Sequence, residues 1–413
     1  MFLHFFKNTF FIGVIAIVSC ISPSSKKSPV HASAKAKTTT PFNKEQKLVI
    51  GANQTEAYLP LLKGKKVGIV GNQTSVVFKD NEGYTHLVDS LVSLNIDVVK
   101  AFSPEHGFRG KADAGEKVVD GVDEKTGISI VSLYGSNKKP TQKQLEGLDI
   151  LVFDIQDVGV RFYTYISTLH YVMEAAAEKG LTVLILDRPN PNGHYIDGPI
   201  LEKEHQSFVG MHPIPIVHGM TIGEYAQMIN GEKWLQNNLI CDLMVIKMIN
   251  YSKKDHYSLP IKPSPNLPNN QSINLYPSLC FFEGTPVNAG RGTSKQFQVF
   301  GSPTLDSNYF DYKYTPQPND GAKHPKNQGK ICYGKDLSEE PLLSTIELKW
   351  LLEAYEKSEN KNDFFTPFFS KLAGTKKLQQ QIEQGWDSNK IKANWKKGIE
   401  NYGKMRQPYL LYH

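Results

Sequence analysis

The chain has 413 residues, enough for two domains or for one large domain with an appendage. Hydrophobic residues make up 40% of the sequence and charged residues 21%, proportions typical of a globular protein. The net charge of +6 is spread along the chain and accompanies no RRM, zinc-finger or helix-turn-helix pattern, which argues against nucleic acid as a partner.

The first twenty residues predict an export signal. One lysine precedes the apolar run "FFIGVIAIVS", which is too short to span a membrane comfortably. The run ends at Cys20, and "AIVSC" resembles a bacterial lipobox, whose cysteine is lipidated and becomes the mature N-terminus. An ordinary signal peptide cut later, after "VHASA", is the alternative.

We therefore expect residues 1–20 to be a lipoprotein-type signal peptide. Residues 21–44 are rich in Ser, Thr, Lys and Pro and should form a disordered tether. The expected location is the periplasm or the cell envelope, with the lipid on Cys20 anchored in a membrane.

From about residue 45, short apolar runs alternate with segments of helical periodicity. The segment 148–157, "LDILVFDIQD", is apolar almost to its charged end, as expected for a strand buried on both faces. Strands that alternate with helices are typical of βαβ units and a parallel sheet. The predicted strands are 65–71, 96–102, 128–135, 148–157 and 181–187, and the predicted helices are 85–95 and 168–180, the latter ending at Gly180.

The pattern changes after residue 195. The segment 213–230 predicts an extended stretch followed by a helix with a capping box of Thr221 and Glu224. Residues 262–297 are dense in Pro, Asn and Gly, and a loop this long usually carries function. Helical patterns follow at 343–358 and about 374–401, which indicate a smaller second α/β domain.

Polar loops follow several of the predicted strands. In a parallel sheet these loops share one edge, where ligands bind in open α/β folds. Acids and amides suit sugar hydroxyls, aromatic faces suit a sugar ring, and arginine suits a carboxylate. The side chains in these loops are Glu105, His106, Arg109, Asp154, Asp157, Arg161, Tyr163, Asp187, Arg188, Asn190 and Asn192.

Each of these residues also has a structural interpretation. The aspartates can cap helices, Arg161 can pair with one of them, and the asparagines can form turns. A metal site is a second alternative, since Glu105, His106, Asp113, Glu116, Asp120 and Asp123 lie within twenty residues. No i, i+4 histidine pair fixes such a site, and GxSxG, P-loop and HExxH motifs are absent, so we predict no metal and no cofactor. Cys241, Cys280 and Cys332 have no metal-ligand spacing; we predict buried free thiols, with one disulfide bridge as the alternative.

Nine sequence blocks in order resemble the bacterial family long called DUF1343, now known as the NamZ exo-β-N-acetylmuramidases. The resemblance implies a Rossmann-like domain, for which we take residues 45–250, and an ancillary α/β domain, for which we take residues 251–413, with the active-site cleft between them. It also implies release of N-acetylmuramic acid from the non-reducing ends of peptidoglycan fragments. The blocks are "VGIVGNQTSV", "FSPEHGFRGKADAGEKVVD", "SLYG", "LVFDIQDVGVRFYTYISTL", "DRPNPNG", "VHGMTIGEYA", "PSPNLP", "YPSLCFFEGT" and "GRGT".

The resemblance makes Glu105, the glutamate of "SPEHG", the catalytic acid/base. Glycoside hydrolysis generally needs a second group, for which Asp157, Glu116, Glu283 and the tyrosine Tyr163 stay open. His106 should hold the loop or touch the sugar. The candidates for binding the lactyl carboxylate are Arg161, Arg188 and Arg291. The other candidates for substrate binding are Arg109, Glu116, Tyr163, Asn190, Asn192 and His218. The competing hypothesis is a non-catalytic sugar-binding lipoprotein on the same fold.

Overall fold

The computed structural model describes residues 47–80, 83–105, 107–109 and 120–412. The predicted signal peptide, the tether and Cys20 lie outside the described residues, as do His106, Asp113 and Glu116. The predictions made for them therefore stay predictions.

Seven strands form one central sheet in the order β5-β6-β4-β1-β7-β8-β9. All neighbouring pairs are parallel except β5 with β6. Numbered in chain order, the six parallel strands run 3-2-1-4-5-6, the order of a Rossmann fold, with β5 added antiparallel at one edge. The strands are β1 Val67–Gly71, β2 Val76–Phe78, β3 Tyr84–His86, β4 Val98–Ser103, β5 Gly121–Val122, β6 Ser129–Ser132, β7 Ile150–Asp154, β8 Thr182–Leu186, β9 Asp242–Ile246, β10 Val299–Ser302, β11 Tyr312–Tyr314 and β12 Cys332–Asp336.

Helices cover both faces of this sheet. Alternate residues of β7 point to opposite sides: Ile150 and Val152 join one hydrophobic cluster with α1 and α2, whereas Leu151 and Phe153 join another with α3 and α4. This explains why β7 reads as a continuous apolar run. The helices are α1 Thr55–Leu62, α2 Leu87–Ser93, α3 Tyr165–Lys179, α4 Ile222–Gly231, α5 Asn270–Leu279, α6 Lys349–Glu356, α7 Pro367–Ala373, α8 Lys377–Glu383 and α9 Ser388–Arg406.

Two predicted helix ends are confirmed. Helix α3 ends at Gly180, whose φ of 72° is the left-handed conformation that glycine adopts without strain. Helix α4 begins with the reciprocal capping box of Thr221 and Glu224. The predicted helix over 374–401 is instead α8 and α9, because Gly385 has a φ of 72° and Asp387 caps a new helix.

The C-terminal part contains a small antiparallel sheet of order β10-β12-β11 and the helices α5 to α9. The α3–α4 face of the central sheet shares one hydrophobic cluster with this part, which includes Trp395 and Tyr402 of α9. The α/β fold class, the mostly parallel sheet and the smaller C-terminal part are as predicted. None of the described helices is long and apolar enough to cross a membrane.

Candidate active site

A cavity of about 820 Å³ lies where the carboxyl edge of the sheet meets the C-terminal part. One wall comes from residues that follow β4 and β6 or precede α3, and the opposite wall comes from α5, α7 and the loops between 280 and 326. The cleft therefore lies between the two parts, as the resemblance implies. Its lining consists of Glu105, Tyr134, Phe162, Thr164, Phe208, Val209, Tyr276, Cys280, Glu283, Asn288, Ala289, Arg291, Gly321, Ala322, Lys323, His324, Pro325, Lys326, Phe368 and Leu372.

Glu105 lines this cavity two residues after the end of β4. The hydroxyl of Tyr134 donates a hydrogen bond of 3.0 Å to its Oε1, and the hydroxyl of Thr164 donates one of 3.3 Å to its Oε2. Tyr134 follows β6, and Thr164 immediately precedes α3. Three elements of the fold thus meet at the carboxylate of Glu105 and fix its orientation.

Glu283 and Arg291 lie in the same cavity and form an ion pair. The Nε of Arg291 is 2.9 Å from Oε1 of Glu283, and its guanidinium lies 5.2 Å from the ring centre of Phe297. Burial lowers the pKa of Arg291, but the carboxylate of Glu283 more than offsets this, so the pKa stands above its ordinary value. Among the described residues, the Nη groups of Arg291 have no hydrogen-bond acceptor.

Lys326 holds the segment that carries Glu283. Its ammonium donates to the carbonyls of Phe282 at 2.8 Å, Val287 at 3.2 Å and Thr285. Burial lowers the pKa of Lys326 from its ordinary value. Lys323 also lines the cavity, so its lining contains three cationic residues, with Arg291 and Lys326, and two carboxylates, those of Glu105 and Glu283. This arrangement favours a ligand that carries a negative charge.

Aromatic side chains form the apolar part of the lining. Phe162 and Tyr276 meet edge to face, with ring centres 5.3 Å apart. Tyr276 in turn meets Phe297 edge to face at 4.8 Å, so the rings support one another. Aromatic walls in a cavity that also contains carboxylates suit a sugar ring.

The structure places Arg188 away from the cavity, in a buried ion pair. Its Nε and Nη2 bind the two carboxylate oxygens of Asp154 at 2.6 and 2.9 Å, and Nη2 also donates to the carbonyl of Val76 at 2.9 Å. Asp154 is the last residue of β7, so the ion pair links the end of this strand to the loop that carries Arg188. The geometry is that of a structural contact.

Arg161 is also outside the cavity lining, and it is fully buried. Its Nη1 donates to the carbonyls of Pro199 at 2.9 Å and Ile214 at 2.7 Å. Its Nη2 donates to those of Leu372 at 3.0 Å and Ala373 at 2.8 Å. The side chain links the end of α7 to the Rossmann-like part. Because both Nη groups already donate to backbone carbonyls, they cannot bind a substrate carboxylate in a bidentate manner.

Asp157 and His218 are buried beneath the edge of the sheet. Asp157 accepts a hydrogen bond of 2.7 Å from the backbone N–H of Gly159, and its Oδ2 lies 3.9 Å from Nε2 of His218. Burial raises the pKa of Asp157 to about 7 and lowers that of His218 to about 3. Neither residue lines the cavity.

The two asparagines shape the loop after β8. Asn190 donates to the carbonyl of Met220 at 2.9 Å, and Asn192 donates to that of Val158 at 2.9 Å. Gly159 has a φ of 77°, which favours glycine, and a Cβ at this position would also lie 2.2 Å from the side-chain oxygen of Asn190. Their structural interpretation, as turn-forming residues, matches the hydrogen bonds.

Tyr163 and Arg109 make contacts of their own. The hydroxyl of Tyr163 donates to the carbonyl of Pro263 at 2.9 Å, and burial raises its pKa well above the ordinary value. Arg109 binds Asp89 at 2.9 Å and Asp123 at 2.6 Å. Of the sequence-predicted site residues in the described part, the structure brings together Glu105, Glu283 and Arg291.

Tyr134, Thr164 and Lys326 were not singled out by the sequence analysis. Tyr134 belongs to the block "SLYG", at the end of the predicted strand 128–135, and Thr164 lies in the polar loop that follows the predicted strand 148–157. Their position at the same sheet edge as Glu105 was the available signal. Lys326 lies after residues 262–297, and no sequence pattern around it indicates a place in the site.

Of the proposed metal ligands, Asp123 binds Arg109, and Asp120 accepts a hydrogen bond of 2.8 Å from the backbone of Ser132. Within the described ranges, no three His, Cys, Asp or Glu side chains are grouped to hold a metal ion. Cys241, Cys280 and Cys332 are buried free thiols, as predicted.

Comparison with known families matches most of the chain. The N-terminal model of the exo-beta-N-acetylmuramidase NamZ family matches residues 67–271, and its C-terminal model matches residues 274–412. The chain belongs to the NamZ family. It is therefore an enzyme, a glycoside hydrolase, and the non-catalytic alternative is set aside.

Individual relatives agree with this family assignment. The chain is 40% identical over 377 residues to the peptidoglycan beta-N-acetylmuramidase NamZ of Bacillus subtilis strain 168, covering 86% of this chain and 89% of that protein. Crystal structures of two DUF1343 family proteins from Bacteroides fragilis NCTC 9343 match with TM-scores of 0.82 and 0.75, at 47% and 28% identity. Each match covers 89% of this chain and 99% of the other.

Proposed function

We propose that the enzyme releases N-acetylmuramic acid from the non-reducing ends of peptidoglycan fragments, with Glu105 as the general acid/base. The observation that carries the proposal is that Glu105 lines the same cavity as the Glu283–Arg291 ion pair. The relative from Bacillus subtilis, which covers most of the chain, is named a peptidoglycan beta-N-acetylmuramidase, and the two matching family models are named for an exo-beta-N-acetylmuramidase. The enzyme would then act in peptidoglycan turnover.

Glu105 is the proton donor in this proposal. Hydrolysis requires a proton on the glycosidic oxygen as the bond to the sugar breaks, and a positioned carboxylic acid supplies it. Tyr134 and Thr164 each bind one carboxylate oxygen of Glu105, so the group faces the cavity in one orientation. The resulting carboxylate then accepts a proton from the water that completes the reaction.

Glu283 is the best-placed second carboxylate. Among the other candidates, Asp157 and Tyr163 do not line the cavity, and Glu116 lies outside the described residues. Arg291 orients Glu283 from one side, and Lys326 fixes its backbone segment. It can act as nucleophile or as base toward water, since both roles need a carboxylate opposite the acid.

Arg291 is the proposed partner of the lactyl carboxylate. Its Nε is used by Glu283, whereas its Nη groups have no acceptor among the described residues, and a guanidinium edge binds a carboxylate as a fork. Arg291 lines the cavity, whereas Arg161 and Arg188 do not. Lys323 belongs to the same lining.

We further propose that the enzyme works at a membrane surface in the cell envelope, held there by a lipid on Cys20. The support is the lipobox-like "AIVSC" and the Ser/Lys/Pro-rich stretch after it. A multiply acylated cysteine anchors a protein stably.

The proposed activity is tested with two chromogenic substrates, an aryl β-N-acetylmuramide and the matching aryl β-N-acetylglucosaminide. They differ only in the lactyl group. Loss of a charge-assisted hydrogen bond costs about 1.5–3 kcal/mol, or roughly 10- to 150-fold, so kcat/KM should favour the muramide at least tenfold. Equal rates on the two substrates would remove the basis for the proposal.

Exo action has its own readout. A peptide-free tetrasaccharide with N-acetylmuramic acid at its non-reducing end is digested, and the products are measured over time by mass spectrometry. Free N-acetylmuramic acid should be the first product. Early appearance of disaccharides would indicate internal cleavage instead.

A further inference from the structure

One wall of the cavity continues into a second depression. Phe208 and Val209 line the cavity, and residues on both sides of them line a neighbouring depression of about 340 Å³ beside α3. The hydroxyl of Ser167 in α3 donates a hydrogen bond of 2.7 Å to the carbonyl of Phe208. This bond holds the segment that contains Phe208 and Val209 between the cavity and the depression. The depression is lined by His170, Tyr171, Glu174, Gln206, Met211, His212, Pro213, Trp234 and Gln236.

Half-buried aromatic rings lead from the cavity to this depression. Phe208 lines the cavity, and its ring is stacked on Tyr171, with ring centres 6.2 Å apart and an interplanar angle of 13°. Tyr171 lines the depression together with Trp234. This pair of rings thus connects the lining of the cavity with that of the depression, and the ammonium of Lys138 lies 4.5 Å from the ring centre of Phe208.

Trp234 is supported from behind by a rigid, buried group. Its indole is stacked on His212 at 4.3 Å and 14°. Nδ1 of His212 pairs with the hydroxyl of Tyr225 at 2.8 Å, and Nε2 pairs with Nδ1 of His170 at 2.9 Å. Burial lowers the pKa of His212 well below its ordinary value, so the imidazole is neutral. The indole is thus a preformed platform.

We propose that this depression binds an N-acetylhexosamine of the glycan chain on the reducing side of the scissile bond. The proposal rests on the proposed function, because an enzyme that removes the non-reducing end must pass the rest of the chain out over a wall of the cavity. Aromatic platforms bind the apolar C–H face of a sugar, and the exposed amide of Gln236 can bind its hydroxyl or acetamido groups.

The spacing along α3 fits a chain that extends beyond the site of cleavage. Thr164, just before α3, binds the carboxylate of Glu105. Tyr171 follows about two helical turns later, roughly 10 Å along the axis at 1.5 Å per residue. The depression therefore lies past the sugar that directly receives the proton, where a further unit of the leaving chain would stand.

The test compares three substrates for the wild type and Trp234→Ala: an aryl β-N-acetylmuramide, a peptide-free disaccharide and a peptide-free tetrasaccharide. The wild type should show a higher kcat/KM on the tetrasaccharide than on the disaccharide. Trp234→Ala should lose roughly two- to tenfold on the tetrasaccharide, the value of one aromatic stacking contact, and keep its rate on the aryl substrate. Trp234→Phe should restore most of the loss.

Trp386 provides a matched control, because it is half-buried, lies outside both linings and is covered by Lys390 at 4.0 Å. Trp386→Ala should leave the chain-length preference unchanged. If Trp234→Ala lowers the melting temperature, Tyr171→Ala provides the same comparison. A wild type without chain-length preference, or variants that lose equally on all three substrates, would overturn the subsite, whereas absence of any muramide turnover would instead overturn the proposed function.

Discussion

Arg161→Lys separates a structural role for this arginine from the role in substrate binding that the sequence suggested. Arg161 is fully buried, and its two Nη groups donate to four backbone carbonyls. Two of these carbonyls belong to Leu372 and Ala373 at the end of α7, in the C-terminal part. Lysine keeps the positive charge but lacks the planar fork, so it cannot serve both pairs of carbonyls.

The expected loss of stability follows from those hydrogen bonds. If two carbonyls lose their donors, each buried unsatisfied acceptor costs about 1–3 kcal/mol, giving roughly 2–6 kcal/mol in total. At about 2.1 cal/mol/K per residue, the unfolding entropy of the compact unit Lys47–His413 is roughly 0.8 kcal/mol/K. The melting temperature should therefore fall by roughly 3–8 °C.

Two measurements on each variant decide the question: the melting temperature by calorimetry, and the ratio of kcat/KM between the aryl muramide and the aryl glucosaminide. Arg161→Lys should lower the melting temperature and leave the ratio unchanged. Arg291→Lys is the same substitution at the proposed binding arginine. It should lower the ratio of kcat/KM, muramide over glucosaminide, several-fold and change the melting temperature little. If Arg161→Lys lowers the ratio of kcat/KM, muramide over glucosaminide, and keeps the wild-type melting temperature, the structural role of Arg161 is refuted.

Two further predictions concern the pH dependence of stability and the location of the protein. Burial raises the pKa of Asp157 to about 7, so between about pH 4 and pH 7 the folded protein keeps a proton that the unfolded chain releases, and stability falls as pH rises through this range. Asp157→Asn should remove this part of the dependence, so that the wild-type melting temperature falls relative to the variant from pH 5 to pH 8; parallel curves would contradict it. Cys20→Ala should move the protein from the membrane fraction to the soluble envelope fraction, because each buried CH₂ of a lipid adds roughly 0.8 kcal/mol of membrane affinity. A wild-type protein found in the soluble fraction would exclude the anchor.

The fold was predictable because its signals are local. Apolar runs such as 148–157 alternate with helical patterns, and this alternation is enough to predict a parallel sheet. The sheet places the residues after β4 at its carboxyl edge, which is why Glu105 could be placed in a cleft before the structure was known. The predicted strand ends differ from those observed by a few residues.

The roles of the other polar residues after the strands were not predictable in the same way. A buried arginine that binds backbone carbonyls and an arginine that binds a substrate carboxylate use the same chemistry. Arg161 and Arg188 are structural because Leu372, Ala373 and Asp154 come close to them in the folded chain. That proximity depends on how the two parts pack, which no local pattern records.

The other wall of the cavity shows the same limit. The prediction of one long loop over 262–297 is wrong, because helix α5, Asn270–Leu279, lies within it; the segment was expected to be functional, and Glu283 and Arg291 near its end do line the cavity. Lys326, however, reaches the carbonyls of this loop from a distant segment. Only the packing of the C-terminal part brings it there.

The most direct test of the central proposal is the rate of Glu105→Gln on a natural disaccharide with N-acetylmuramic acid at its non-reducing end. Glutamine can keep the hydrogen bond from Tyr134 or Thr164 but cannot donate a carboxylic proton. General acid catalysis contributes roughly 10²–10⁴-fold, so kcat should fall by that factor. The fall should be smaller on an aryl substrate whose leaving group needs little protonation, and the melting temperature should stay near that of the wild type. A variant that cleaves the natural disaccharide at close to the wild-type rate would contradict the role of Glu105 as the acid.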